Sequence, residues 1–148
     1  MMKKLAKYSY ILVLLFWSVS GSVMAEDASY NNVAVVVHAE NTNDLNLRQI
    51  LNIYLGKTTA FPNGDPVTPI DREEGSKKRD IFYTDFLGIN DKQLKKHWAK
   101  LLFTGEGRPP VLLGSDQDVK ARVAEDKSAI GYIDAGNVDD TVKVIVMF

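Results

Sequence analysis

"VTPIDREEGSKKRDIF", Val67 to Phe82, reads as a strand, a turn and a helix in immediate succession. Val67 to Asp71 predicts a short strand, and Pro69 within it predicts an edge position or an irregularity. Ile81, Phe82, Phe86 and Leu87 recur at helical spacing, so a helix is predicted from about Ser76 until Gly88 breaks it. A helix start carries about half a positive charge and exposes free N–H groups, so it favours acids. Lys77, Lys78 and Arg79 have the wrong sign for that end. Either an oxyanion occupies the helix start, or Glu73, Glu74 and Asp80 neutralise a solvated basic face.

The segments on either side extend the same alternation. Upstream, "VAVVVH", Val33 to His38, is a continuous β-branched run that suits a strand buried on both faces, as in a parallel sheet covered by helices. Ala39 to Asn46 reads as a polar loop. Leu47, Ile50, Leu51 and Tyr54 predict a helix stopped by Gly56. "FPNGDP", Phe61 to Pro66, is turn chemistry. Downstream, Asn90 with Gln93 forms a capping-box pattern ahead of Leu94, Trp98, Leu101 and Leu102, predicted to share one helix face. "VLLGS", Val111 to Ser115, predicts a strand. Ser115 with Asp118 predicts the start of a helix carrying Val119, Val123 and Ala124. "AIGYID", Ala129 to Asp134, and "VKVIVMF", Val142 to Phe148, predict the last two strands. About five strands alternating with about four helices predict a three-layer α/β/α domain with a mixed, mostly parallel sheet.

Ahead of this domain, Lys3, Lys4 and Lys7 precede the apolar run Tyr10 to Val19, and Val23-x-Ala25 has the small-residue form of a cleavage site. The expectation is a secretory signal over residues 1–25, cleaved after Ala25, and a single domain over 26–148. The apolar run is shorter than the roughly 20 residues that a membrane span needs, so no stable insertion is expected after cleavage. The chain has no Cys, which excludes disulfides and a lipid-modified cysteine. Cleavage would remove three Lys and no acid from the 18 basic and 19 acidic side chains, shifting the net charge from −1 to −4. This argues against nucleic-acid binding, which usually shows a basic excess. Any attraction for an anion must be local.

Most catalytic and metal signatures are missing. The two His residues, His38 and His97, belong to no metal-ligand spacing. There is no Gly-x-Ser-x-Gly elbow and no phosphate-binding Gly-x-x-x-x-Gly-Lys run. No cofactor and no enzymatic activity are expected. The turn after Asp71 is the exception. Gly75 allows a tight turn and close approach, Ser76 offers a hydroxyl at the helix start, and Arg72 can reach the same point with a two-pronged guanidinium.

The order of these pieces resembles the periplasmic phosphate-binding proteins of ABC transporters, which have the type-2 periplasmic-binding-protein fold. "LRQILNIYLGK", Leu47 to Lys57, is similar to a helix of that family ending in IFLGK. "VTPIDREEGSKKRDIF" is similar to its strand followed by Arg-x-x-Gly-Ser-Gly-Thr-Arg-x-x-Phe. "LGSDQDVKARVAEDKSAIGYID", Leu113 to Asp134, is similar to its last helix and GAIGYV strand. The resemblance spans about residues 33 to 134. It implies ligand-binding roles for Arg72, Gly75, Ser76 and Arg79. Lys77 stands where the pattern has its second Gly and is the fifth candidate, its side chain either blocking close approach or replacing one hydrogen bond with its ammonium. Lys78 stands where the pattern has Thr. Family members enclose the oxyanion between two lobes, whereas residues 26–148 match about one lobe. The implied function is non-catalytic recognition of phosphate or a similar oxyanion in the periplasm. A second copy or another envelope protein would then complete the missing wall. The alternative is an envelope interaction module that kept the fold and lost the ligand. Lys78 is expected to face away if Arg79 faces in.

Overall fold

The unbroken apolar run Val33 to Val37 forms strand β1 (Val33–His38), with all five of those residues buried. The structure is a computed structural model that describes residues 32–148; the expected signal sequence lies outside the described residues. After β1 come α1 (Leu47–Tyr54), β2 (Thr68–Asp71) and α2 (Lys77–Asp80), which runs directly into a π-helical segment, Ile81–Phe86. Then follow α3 (Asp91–Thr104), β3 (Val111–Leu112), α4 (Asp116–Glu125), β4 (Ala129–Asp134), a 3₁₀ turn (Ala135–Asn137) and β5 (Val142–Met147).

The sheet order is β3-β2-β4-β1-β5. β2 runs parallel to β3 and β4, while β1 is antiparallel to both β4 and β5. The sheet is therefore mixed, with five strands, as expected. The apolar run that suggested a parallel strand belongs to an antiparallel one, because such a run reports burial on both faces rather than strand direction.

Alternation along the strands divides the interior into two cores. Val33, Val35, Val37, Ile130 and Tyr132 pack with Ile50, Ile53, Tyr54, Phe82, Leu94 and Trp98 on one face. Ala34, Val36, Ala129 and Ile133 pack with Val119 and Val123 of α4 on the other. Gly131 faces α4 at close range. A Cβ added there would stand 2.5 Å from Val119 Cγ1. Gly131→Ala should therefore push α4 outward and cost about 1–3 kcal/mol. Urea unfolding measures this, and an unchanged midpoint would show that α4 yields freely.

Pro69 is not on an edge strand, yet its missing N–H is tolerated for a local reason. The Thr68 N–H faces β4, where it donates to the Ser128 carbonyl at 2.8 Å. The Pro69 nitrogen therefore faces the other flank, where β3 pairs only with Ile70 and Asp71. β2 and β4 are paired only at Thr68–Ala129 and Pro69–Ile130. Beyond that point the buried Tyr54 hydroxyl lies 3.0 Å from the Ile70 carbonyl and 3.2 Å from that of Ile130, serving the backbone where the ladder has parted. The parting leaves the C-terminal end of β2, Asp71 and then Arg72, free to form a polar centre.

Helix starts follow the sequence. Asn90 and Gln93 cap each other reciprocally, and Asn46 with Gln49 repeats the device at the end of what reads in sequence as a plain loop. Ser115 Oγ accepts the Asp118 N–H at 3.1 Å. Leu102, expected on the α3 core face, is instead 58% exposed. It follows Leu94 by eight residues, which turns it to the margin of the face, and it borders open clefts near the helix end.

Candidate functional site

The polar centre is built at the end of β2. Asp71 is only 2% exposed. Its carboxylate accepts hydrogen bonds from the Tyr132 hydroxyl at 2.5 Å, the Tyr83 hydroxyl at 2.9 Å and the Arg72 N–H at 2.7 Å, with Arg79 Nε at 3.3 Å. Burial, then the Asp71 charge, push the Tyr83 and Tyr132 hydroxyls far above the ordinary tyrosine range, so both remain protonated donors. The π-helical segment serves this arrangement. Its wider turn, closed by the Leu87 N–H on the Phe82 carbonyl, accompanies burial of the adjacent residues Phe82 and Tyr83. Phe82 stacks on Tyr132 at 4.1 Å between ring centroids.

Arg72 and two of the three bases of the turn, Lys78 and Arg79, pair with acids other than their immediate neighbours. Arg72, 4% exposed, pairs through Nη2 with Asp116 at the start of α4. Lys78 Nζ donates to both Asp116 oxygens, at 3.0 and 2.8 Å. The Asp134 N–H and Asn137 Nδ2 donate to the same carboxylate at 2.9 and 2.8 Å. Burial would raise the Asp116 pKa, but Lys78, the Asp134 N–H and Asn137 outweigh it and hold the carboxyl below its ordinary range. Arg79 spans Asp71 and Asp91, the latter at 3.5 Å, and lies 5.3 Å from the Tyr83 ring centroid. Lys95 pairs with Glu74 and Asp91.

The basic run is thus tolerated chiefly through Asp71, Asp91 and Asp116. Neither Glu73 nor Asp80 forms an ion pair with it among the described residues. Lys78 faces inward alongside Arg79, contrary to expectation, because Asp116 draws it toward α4. Lys77 is exposed and makes no ion pair among the described residues.

The five predicted ligand residues fall into two groups. Arg72 and Arg79 line a cleft of about 410 Å³ with Asp71, Glu74, Lys95, Trp98, Leu102 and Leu112 among its other walls. Gly75 and Ser76 form the turn beside it, and Lys77 opens α2. Gly75 adopts φ 85°, a conformation that suits glycine. Ser76 is extended at φ −70° and ψ 125°, and its side chain does not cap the helix. The first-turn N–H groups are left without a side-chain cap. Sequence reasoning missed Asp71, Asp116, Asn137 and Tyr132. Asp116 carried one local signal, its place in the first turn of a capped helix, but nothing there points to Arg72.

Both histidines have structural partners. His97 Nε2 lies 2.7 Å from the Leu55 carbonyl, and His38 Nδ1 accepts the Glu40 N–H at 3.1 Å. Among the described residues, no group of three or more His, Cys, Asp or Glu is placed to hold a metal, and no helix is long and apolar enough to cross a membrane.

The fold resembles that of substrate-binding proteins of phosphate ABC transporters. One similar structure is a Clostridium perfringens protein assigned as a phosphate ABC transporter substrate-binding protein, solved with bound phosphate. It is 28% identical with a TM-score of 0.60, over 80% of this chain and 46% of that one. An ABC-type phosphate transport receptor from Vibrio cholerae is 25% identical with a TM-score of 0.62, over 78% and 45%. PstS from Borrelia burgdorferi shares the fold at 12% identity and a TM-score of 0.59, over 78% and 46%. The chain spans about half the length of these proteins. No family model and no curated protein matches it.

Proposed function

We propose that the chain is an exported, non-catalytic recognition protein for phosphate or a similar oxyanion. The observation that carries this reading is the uncapped helix start at Ser76, reached through a positive-φ Gly75 four residues after Asp71. Such a start offers N–H donors and a favourable dipole to an anion. Similarity to two phosphate-transport proteins supports the same reading. Lys77 adds an uncommitted cation, while Arg72 and Arg79 stand behind the turn as charged arms already engaged with carboxylates. The turn is open to water, where each charge pair is worth little, so weak binding is expected unless a second copy or another envelope protein supplies a covering wall.

Amide NMR at low salt tests the site. Millimolar phosphate or sulfate should shift the amides of residues 75 to 79, and added salt should weaken the response by screening. Arg72→Lys should reduce the response, because an ammonium cannot reproduce the planar guanidinium that pairs with Asp116 behind the turn and so would disturb the turn's support. Silent amides at these positions would remove the anion reading. Export is tested separately by intact mass: the exported product should begin at Glu26, and a membrane-bound chain retaining Met1 to Ala25 would contradict it.

A second reading, an envelope interaction module, is favoured by a different observation. Leu102, Phe103, Val111 and Leu112 are exposed large apolar residues at the end of α3 and on the edge strand β3, with Phe103 94% exposed. If the turn amides remain silent, this surface becomes the stronger candidate for function.

A further inference from the structure

Asp116 receives more hydrogen bonds than a helix-start acid ordinarily needs. Its Oδ1 accepts from Arg72 and Lys78, and its Oδ2 accepts from Lys78, the Asp134 N–H and Asn137. The donors come from four parts of the fold: the end of β2, α2, the end of β4 and the 3₁₀ turn after it. A carboxylate has about four lone-pair sites, so this one is saturated. The donors do not need to be this numerous to hold α4 in place, because Ser115 already caps that helix. The arrangement has the composition of an anion-binding site: a guanidinium, an ammonium, a backbone N–H and a side-chain amide. One donor is also left over. Arg72 Nε is buried with no hydrogen-bond partner.

We propose that these four groups form a binding site for a small carboxylate or oxyanion, and that the carboxylate of Asp116 is its resident, covalently tethered ligand. An external anion gains the Arg72 and Lys78 charges only where Asp116 has left. The inference rests on the oxyanion reading for its biological meaning, since Asp116 then competes for two of the cations behind the Ser76 turn. Its physical content stands apart from that reading. The donors belong to a site with an occupant of its own, and the occupant is chemically replaceable. Carboxylates such as formate and acetate are the nearest replacements, because they offer the same pair of oxygens.

The test follows the Asp134 amide, which reports on the donor site rather than on the turn. In the unmodified protein this amide should not respond to formate, acetate or phosphate. In Asp116→Ala it should titrate saturably with formate or acetate, at least about tenfold more tightly than any response of the unmodified chain. Formate should also raise the melting temperature of that variant but not of the parent. If Asp116→Ala folds only with formate or acetate present, the outcome supports the proposal. If it folds in neither condition, Asp116→Ser is used. This variant also clears the carboxylate from the donors while keeping a small polar side chain, and its Asp134 amide should gain a response to the same anions. Failure of both variants to fold even with formate or acetate present overturns the proposal. A folded variant whose Asp134 amide ignores all three anions overturns the proposal, as does an unmodified chain whose Asp134 amide titrates equally well. Silence at residues 75 to 79 alone would overturn only the oxyanion reading of the turn.

Discussion

Asp71→Ala should destabilise the domain by about 3–5 kcal/mol, the range for removing one partner from a buried charged pair. The carboxylate is almost fully buried and is the shared acceptor for Tyr83, Tyr132, Arg79 and the Arg72 N–H. Its loss would strand two buried hydroxyls and leave Arg79 with the longer Asp91 contact as its ion pair among the described residues. Unpaired buried donors lose their full desolvation free energy, which is why the expected cost exceeds that of any one hydrogen bond. Asp71→Asn should cost less, because the amide oxygen can still accept from one tyrosine. Urea unfolding with an unchanged m-value measures both. A loss below about 1 kcal/mol for the alanine variant would show that water enters and serves the stranded groups.

Trp98→Ala should cost about 3–5 kcal/mol, the usual range for deleting a buried aromatic side chain. Trp98 is 9% exposed and belongs to the core beneath α1, α3 and the π-helical segment. Its ring lies so near the end of α1 that a Cβ at Gly56 would stand 3.0 Å from Cη2. The same ring forms part of the wall of the Arg72 cleft, so the variant should also loosen the cleft. Trp98→Phe should recover much of the loss by keeping an aromatic body in place. Denaturant unfolding of the two variants separates them, and equal midpoints for Trp98→Ala and the parent chain would place the ring outside the core.

Together these variants separate the scaffold from the proposed ligand chemistry. Asp71 and Trp98 act on stability, whereas Lys77 beside the Ser76 turn is exposed and should tolerate change. Lys77→Ala should therefore leave unfolding within about 0.5 kcal/mol of the parent, as expected for an exposed side chain without a structural partner.

Much of the fold was legible in the sequence because it depends on neighbours along the chain. The β-branched run Val33 to Val37, the capping pair Asn90 and Gln93, and the breaker Gly88 each act within a few residues. Periodicity therefore located five strands and the main helices. The same local logic identified the Gly75–Ser76 turn as an unusual helix start. Strand direction was not legible for β1, since burial on both faces looks alike in either orientation. The π-helical widening after Asp80 was also hidden, as were the exposure of Leu102 and the capping box at Asn46.

The electrostatics of the site lay beyond the sequence for a different reason. The sequence by itself determined that three bases follow a strand end and a tight turn, and that some negative charge must accompany them. It did not determine which charge. The nearest acids in the chain, Glu73, Glu74 and Asp80, make no ion pair with these bases among the described residues, and Glu74 pairs with Lys95 instead. Asp116, 38 positions beyond Lys78 and 44 beyond Arg72, pairs with both of them. Coulomb attraction depends on distance in space and on exclusion of water, and neither follows from separation along a chain. Only the tertiary structure, by placing the start of α4 beside the splayed end of β2, decided that the basic turn carries its own counter-ion.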